Sequence, residues 1–365
     1  MRAIRESPPP SMSTSDEPTK HLLPGLPDEV AITCIAHVPR LFHPNLSLVS
    51  RSWHSLLRSN PFFTVRSQVN ASQRLLLLNI VTTHISFSQW YITDPSSTRP
   101  ANLRPLPPSP SPHTLCSASV SIGPTLYLLG GSLHGVAQNA VWVFDARVNR
   151  WSAGPTMATS RTCAAAAVVD GKIYVFGGCT KEEKPWAEVL EPGAGDWAAV
   201  VVTDPAPAVE WRARGKALVV DGLIYSGDGI QGLCFDPARE GGASWEVVQG
   251  WHKFCAKAAM DGLIYGFFGR WMKAYDVRGK KWRVVMGLEC MPWVVLAEVG
   301  GGRLVGVRKV EERRRGKEAE IAVAVIEVEV DDRGVLRGKI TRWADTPLAL
   351  SRWSTSVPDF VTVEL

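Results

Sequence analysis

The chain has 365 residues, 45% of them hydrophobic, enough for two or three average domains or for one small module plus a single large β architecture. Its formal charge of +5 is mild and comes without an aromatic-interleaved basic stretch, which argues against nucleic-acid binding. No run reaches the ~20 apolar residues of a membrane span. The seven cysteines (Cys34, Cys116, Cys163, Cys179, Cys234, Cys255, Cys290) include no C-x-x-C pair, which argues against zinc and for reduced, buried thiols.

Residues 1–20 are Ser, Pro and charge, with too little apolar content to offset ordering entropy, and are expected to be a disordered tail. Met1-Arg2 runs into Ser, Pro and acidic residues without the apolar core of a signal peptide. An intracellular protein, cytoplasmic, nuclear or both, is therefore expected, and the sequons at Asn45 and Asn70 should stay unmodified.

Residues 21–66 form a compact apolar module with helical spacing. Leu26-Pro27-Asp28-Glu29-Val30 reads as a helix start, with Pro at the entry and carboxylates suited to the positive end of the helix dipole. Apolar residues follow at Val30, Ile35 and Val38, before the breaker Pro39, and Asn45 to Leu57 carries a second helical pattern. So short a module cannot bury all of this apolar surface alone, so a partner should cover part of it. The ordered set (Leu-Pro, then Val-Pro, then Leu-Val-Ser-x-x-Trp-x-x-Leu-Leu) resembles an F-box. The resemblance implies docking on a Skp1-type adaptor, with Leu26, Pro27, Val30, Ile35, Val38, Pro39, Leu48, Val49, Trp53 and Leu57 facing the adaptor or forming the module's own core. His54 departs from the family, which more often has a basic residue there.

From residue 74 to 365 the chain is β-rich and repeats. Val168-Val169-Asp170-Gly171-Lys172-Ile173-Tyr174-Val175-Phe176-Gly177-Gly178 is a strand, an Asp-Gly turn and a second strand ending in a glycine pair. Asp-Gly between alternating hydrophobics predicts a type I′ hairpin, because that turn needs positive φ at both central residues. The frame returns around Asp221-Gly222 and Asp261-Gly262, and more weakly at Gly123 and Gly302. Registered on positions 127, 174, 225, 265 and 305, the intervals are 47, 51, 40 and 40 residues. A third strand such as Val141-Trp142-Val143-Phe144-Asp145 and a later tryptophan (Trp151, Trp197, Trp245, Trp282, Trp343) complete each unit. Four short strands per unit of this length predict a propeller blade, and the period of two excludes helical solenoids.

Gly-Gly after an apolar strand, then a Tyr/Phe-Asp strand end, then Trp resembles the kelch repeat. A sixth unit is expected from Arg74 to Asp94, completed by the Trp353–Val363 stretch, so that first and last strands share a blade and six blades close the ring. An F-box module followed by a kelch-type propeller resembles the F-box/kelch family of plants. That resemblance implies a non-catalytic substrate receptor of an SCF-type ubiquitin ligase. The adaptor would link it to a cullin and the propeller would hold a protein target, with the chain monomeric in the complex.

Thirteen residues before the registered positions lie Thr114, Arg161, Arg212, His252 and Pro292, expected at one mouth of the ring beside Trp211, Trp251, Lys253 and Trp293. Arg and Trp dominate interface hot spots, so this mouth is a candidate for an acidic or phosphorylated protein segment. The alternative is that such arginines tie neighbouring loops together and the tryptophans pack between blades. Gly227-Asp228-Gly229-Ile230-Gln231-Gly232 satisfies G-x-G-x-x-G, but it joins two strands rather than a strand and a helix, so turn glycines are expected. The mixed-sign run 311–318 reads as a solvated loop. No metal, cofactor, nucleic-acid or membrane site is expected. A non-ligase kelch interaction or sensor module is the rival reading. A propeller enzyme would need clustered ligands or paired acids, which the strand-start positions lack.

Overall fold

The computed structural model describes residues 21–82, 86–96, 103–179, 185–200, 216–227, 232–239, 244–248, 251, 255–268, 271–288, 295–310, 319–350 and 355–365. The expected tail at 1–20 and the charged run at 311–318 lie outside these. The chain divides into two compact units, Met1–Ala71 and Ser72–Leu365.

The first unit is helical: α1 (Asp28–Ala36), a 3-10 turn (Arg40–Phe42), α2 (His43–Leu46), α3 (Arg51–Leu56) and α4 (Asn60–Gln68). Each start has a local cause. Pro27 precedes Asp28 and Glu29 at the entry of α1. The Ser50 hydroxyl accepts from the Trp53 N–H at 3.2 Å, and the Ser59 hydroxyl from the Phe62 N–H at 3.4 Å, capping α3 and α4. Ile35, Ala36, Leu57 and Phe62 form the core, flanked by Trp53 and Leu56. Arg66 is buried with them. Its guanidinium donates to the carbonyls of Ala36 (2.5 Å), Val38 (2.8 Å) and Ala71 (2.6 Å), so one side chain satisfies chain ends that helices leave open. Burial holds the His43 imidazole down at about 3, with the Arg40 and Arg66 cations adding to the effect, so it stays neutral.

The second unit is all β. Its sheets in chain order begin with β1 (Arg74–Thr82), β2 (Phe87–Thr93) and β3 (Arg104–Pro105). The next holds β4 (Thr114–Leu115), β5 (Ala118–Ile122), β6 (Thr125–Leu133), β7 (Val136–Asp145) and β8 (Arg150–Ala153). The third holds β9 (Ala165–Val169), β10 (Lys172–Phe176), β11 (Ala187–Leu190) and β12 (Trp197–Ala199), and the fourth β13 (Leu218–Val220), β14 (Leu223–Gly227), β15 (Gly232–Asp236) and β16 (Ser244–Val248). Then come β17 (Cys255–Met260), β18 (Leu263–Phe268), β19 (Trp271–Asp276) and β20 (Lys281–Val284) in the fifth, and β21 (Val295–Glu298), β22 (Arg303–Val310), β23 (Ala319–Val330) and β24 (Leu336–Leu350) in the sixth. The last strand, β25 (Thr355–Glu364), returns to pair antiparallel with β1, from Arg74↔Glu364 to Thr82↔Thr355.

The described strands thus form six sheets arranged like a propeller. The inner strands β25, β5, β9, β13, β17 and β21 each pack on the next, and β21 packs back on β25. The apolar core is a series of strips between adjacent sheets. One joins Leu76, Leu78 and Phe360 to Val295, Val305 and Val323, and another joins Ala165, Phe176 and Ala187 to Ile224 and Phe235.

The repeated residues act as the sequence predicts. Asp170/Gly171, Asp221/Gly222 and Asp261/Gly262 all have positive φ (48°/75°, 51°/77° and 52°/75°) in the turns between first and second strands. Gly178 of the glycine pair has φ +70°, and a Cβ there would stand 2.6 Å from the Thr162 carbonyl, so the close approach of that loop demands glycine. The third-strand aromatics and fourth-strand tryptophans are cross-strand partners, Phe144↔Trp151, Phe235↔Trp245 and Tyr275↔Trp282, with ring centroids 4.9, 4.5 and 4.8 Å apart. Trp151 and Trp197 also donate their indole N–H to the carbonyls of Pro107 and Pro155, both at 2.9 Å, each binding the segment that arrives from the preceding sheet. Gly227 ends β14 and Gly232 opens β15, so the glycine-rich motif joins strands. One expectation is corrected: Cys34 and Cys116 are exposed rather than buried, because Cys34 lies on the outer side of α1 and Cys116 in the turn between β4 and β5.

Lys216 enters the ring just before β13, the inner strand opposite β25. Its ammonium donates to the Phe360 carbonyl and lies 3.8 Å from the Phe360 ring centroid. Burial pulls this amine down to about 8, partly opposed by Asp359, and burial raises Asp359 despite Lys216. Above pH 8 the folded chain loses a proton that the unfolded chain keeps up to the ordinary lysine value of 10.5, so stability should rise with pH across that window. Urea midpoints measured from pH 7 upward should show this rise in the wild-type chain and lose it in Lys216→Met. Parallel alkaline profiles for the two proteins would remove Lys216 as its source.

Candidate functional site

Two surfaces have the chemistry to engage partners. On the helical unit, Leu48 and Val49 follow α2 and are 84% and 62% exposed, and Leu26 and Val30 at the start of α1 are exposed too. Pro27 and Pro39 are also on the surface, while Val38 and Trp53 are half-buried. Ile35 and Leu57 are each 3% exposed and belong to the core, so they support the module rather than face outward. Trp53 does both, because its indole N–H donates to the Leu22 carbonyl at 2.9 Å while its ring packs against the core. His54 is exposed and hydrogen-bonded to Arg58 at 3.1 Å. This unit has an apolar core of its own, yet it leaves four large apolar side chains exposed.

On the β unit, the sequence places nine residues at the strand-start end of the ring, of which Pro292 lies outside the described residues. Trp211, Arg212, His252, Lys253 and Trp293 lie outside the described residues. Thr114 is half-buried and pairs with Leu133, extending the second sheet, with its hydroxyl 2.6 Å from that of Ser111. Trp251 is buried and stacks over Gly232, where a Cβ would meet its indole at 2.3 Å, and the Lys257 ammonium sits 5.0 Å from its ring. It packs between the fourth and fifth sheets, as the alternative reading had it.

Arg161 is the clearest correction. It is 0% exposed, so its guanidinium is not offered to a partner. It pairs with Glu188 at 2.7 Å and donates to the carbonyls of Gly177, Pro185 and Trp186 at 2.7–2.8 Å. Glu188, 1% exposed, also accepts from the Ala158 N–H at 2.7 Å. Meanwhile the Arg161 backbone pairs with Gln138 and Gly131 of the second sheet. One residue therefore pins the second sheet's hairpin to the third sheet. The bidentate reach of arginine suits this task.

Sequence reasoning missed Phe268 and Trp271. They face each other across β18 and β19 at the same end and are 42% and 46% exposed. Trp271 falls outside the fourth-strand tryptophan register, and that offset was the available signal. The inner strands also line an open cavity of about 560 Å³ with Ser119, Ser121, Val168, Lys216 and Val361 among others. Among the described residues, no cluster of histidine, cysteine or carboxylate side chains could hold a metal ion. No helix among them is long and apolar enough to cross a membrane.

Because Arg161 and Glu188 are fully enclosed, Arg161→Ala would strand a carboxylate and several carbonyls without donors. It should lower stability by about 3 kcal/mol or more, read from urea unfolding of the full chain. A change below about 1 kcal/mol would show that the pair is dispensable to the fold.

The comparisons with known proteins match one family domain to each of the two units. The F-box domain model matches residues 23–64, and the model described as FKB95, Kelch-repeats domain matches residues 88–347. The F-box/kelch-repeat protein At4g39580 of Arabidopsis thaliana is 27% identical over 94% of each chain. At4g19870 is 26% identical over 93% of this chain and 90% of its own, and At4g39550 is 28% identical over 90% of each, both also F-box/kelch-repeat proteins of Arabidopsis thaliana. With a helical unit that keeps apolar residues outside its core and a ring of sheets built on this repeat, the chain belongs to the plant-type F-box/kelch-repeat family.

Proposed function

We propose that this chain is the substrate-recognition subunit of an SCF-type ubiquitin ligase. The helical unit binds a Skp1-type adaptor, through it a cullin, and the ring of sheets holds a protein target. Rate enhancement then comes from proximity of the target to the ubiquitin-charged enzyme, with no bond made or broken by residues of this chain. The observation that carries the reading is the exposure of Leu26, Val30, Leu48 and Val49 on a unit whose Ile35, Ala36, Leu57 and Phe62 already form a closed core. Exposed apolar residues beside a closed apolar core are what a permanent partner covers, and family membership supports a Skp1-type adaptor as that partner. The intracellular setting, in cytoplasm or nucleus, follows from that partner.

The target side of the reading rests on the strand-start end of the ring. Arg161 and Trp251 shape that end from within, so the contact residues are the outward-facing ones around them. Of the residues the sequence named there, Trp211, Arg212, His252, Lys253 and Trp293 stay as candidates and Thr114 lies at the edge.

Leu48→Asp/Val49→Asp places two charges on the most exposed apolar pair without touching the core. In a pull-down with purified Skp1-type adaptor, the wild-type chain should bind stoichiometrically and this variant should bind at least about a hundredfold more weakly, the equivalent of two modest hot spots. Leu26→Ala/Pro27→Ala should weaken the same complex. Absence of wild-type binding to every adaptor paralogue would favour a kelch interaction or sensor module outside the ligase.

A further inference from the structure

The cavity among the inner strands is walled by strand edges. In each of the sheets that border it the inner strand pairs on one side only, β5 with β6, β9 with β10, β13 with β14 and β25 with β1. The other edge of each turns a row of backbone N–H and C=O groups toward the centre of the ring. Two side chains already use that edge of β25: the Ser121 hydroxyl donates to the Thr362 carbonyl at 2.6 Å, and the Lys216 ammonium donates to the Phe360 carbonyl. Both residues line the cavity, as does Ser119. Ser119 is 5% exposed, and its hydroxyl lies near enough to the Asp359 carboxyl to lower it without closing a hydrogen bond among the described residues. Asp359 in turn accepts from the Phe360 N–H at 2.7 Å.

We propose that this cavity binds a small neutral molecule carrying an amide-like group, a carbonyl beside an N–H, at its Lys216–Ser119 end. None of these residues is among those named for the adaptor or the target, so the site goes beyond the substrate-receptor reading and does not depend on it. At about 560 Å³ the cavity falls within the range of roughly 300–1,000 Å³ typical of small-molecule sites. Its polar groups converge on one kind of ligand. An ammonium carries three N–H donors, and the structure gives Lys216 the Phe360 carbonyl and the face of the Phe360 ring, 3.8 Å away. A buried donor or hydroxyl left without a partner is costly, and one ligand carbonyl accepts from Lys216 and Ser119 together. The N–H of the same ligand then finds acceptors in the carbonyl row of the strand edges.

Charge selects against ions. The charged side chains lining the cavity are Arg74, Lys216, Glu298 and Glu364, two of each sign. Three of them engage one another at the solvent-facing rim, where Arg74 lies 2.6 Å from Glu298 and 4.0 Å from Glu364, with the Arg74 and Glu364 side chains 43% and 57% exposed. That leaves Lys216 at the buried end, and Asp359 offsets it. Each holds the other toward its charged form, although they do not meet in an ion pair among the described residues. A bound anion would face Asp359 and could not donate to the strand-edge carbonyls, and a bound cation would face Lys216. Either would also lose its hydration, whereas a neutral amide exchanges water for the hydrogen bonds the wall already offers.

The test titrates the full chain with three probes of similar shape, benzamide, benzoate and benzylamine, followed by ligand-observed saturation-transfer NMR at neutral pH. Benzamide should bind, and its two charged counterparts should bind at least about tenfold more weakly. Ser119→Ala and Lys216→Met should each weaken benzamide at least about fivefold, the equivalent of one hydrogen bond, with circular dichroism showing both variants folded. Should Lys216→Met fail to fold, Ser119→Ala decides alone, since it deletes a hydroxyl that closes no hydrogen bond in the chain. No benzamide binding up to about 10 mM, equal binding of the three probes, or binding untouched by Ser119→Ala overturns the site. A preference for benzoate that Lys216→Met abolishes overturns the neutral class in favour of an anion held by Lys216.

Discussion

Pairing of the last strand with the first is the constraint on which the β unit depends. β25 bonds along the whole length of β1, and the Gln73 and Leu365 backbones exchange hydrogen bonds at 2.7 and 3.0 Å beyond it. Leu75, Leu76, Leu77 and Leu78 of β1 are all fully buried, which is only possible when both faces and both edges of that strand are covered. An open ring would leave two sheet edges and two apolar faces in water. Closure removes both at once, so each sheet has a neighbour on either side. The same closure sets β25 opposite β13, which is why Lys216 can reach the Phe360 carbonyl and why its ammonium loses so much hydration.

Within the ring, polar side chains do the joining that apolar strips cannot. An apolar strip holds two sheets together without fixing their offset, because dispersion and hydrophobic burial have little direction. The Arg161–Glu188 pair, bonded to backbone atoms of the third sheet and anchored by its own backbone in the second, fixes that offset at the strand-start end. Trp151 and Trp197 do the same toward the periphery, each through one indole N–H to a proline carbonyl. The helical unit uses the same device, with Arg66 gathering the carbonyls of Ala36, Val38 and Ala71.

These roles explain what the sequence could and could not tell. The Asp-Gly turns, the glycine pair, the cross-strand Phe/Tyr–Trp pairs and the return of the C-terminal strand were legible because each is local or repeated, and turn geometry dictates residue type directly. Arg161 was located but misassigned. Its register position was right, yet whether an arginine faces a partner or the interior depends on Glu188, 27 residues on, and on carbonyls of a loop between them. The adaptor-facing set was mixed for a similar reason. Helical spacing marks Ile35, Leu48, Val49 and Leu57 alike as apolar positions, and only packing separates the two core residues from the two exposed ones.

The same limit bears on the fifth sheet. Alternation along β18, β19 and β20 predicts a continuous apolar face, since period two is all that a strand's sequence encodes. It carries no information on where the neighbouring sheet ends. Ile264, Tyr275 and Trp282 therefore read the same as Phe268, Trp271 and Val284, though the first three pack against the fourth sheet and the last three are between two fifths and one half exposed.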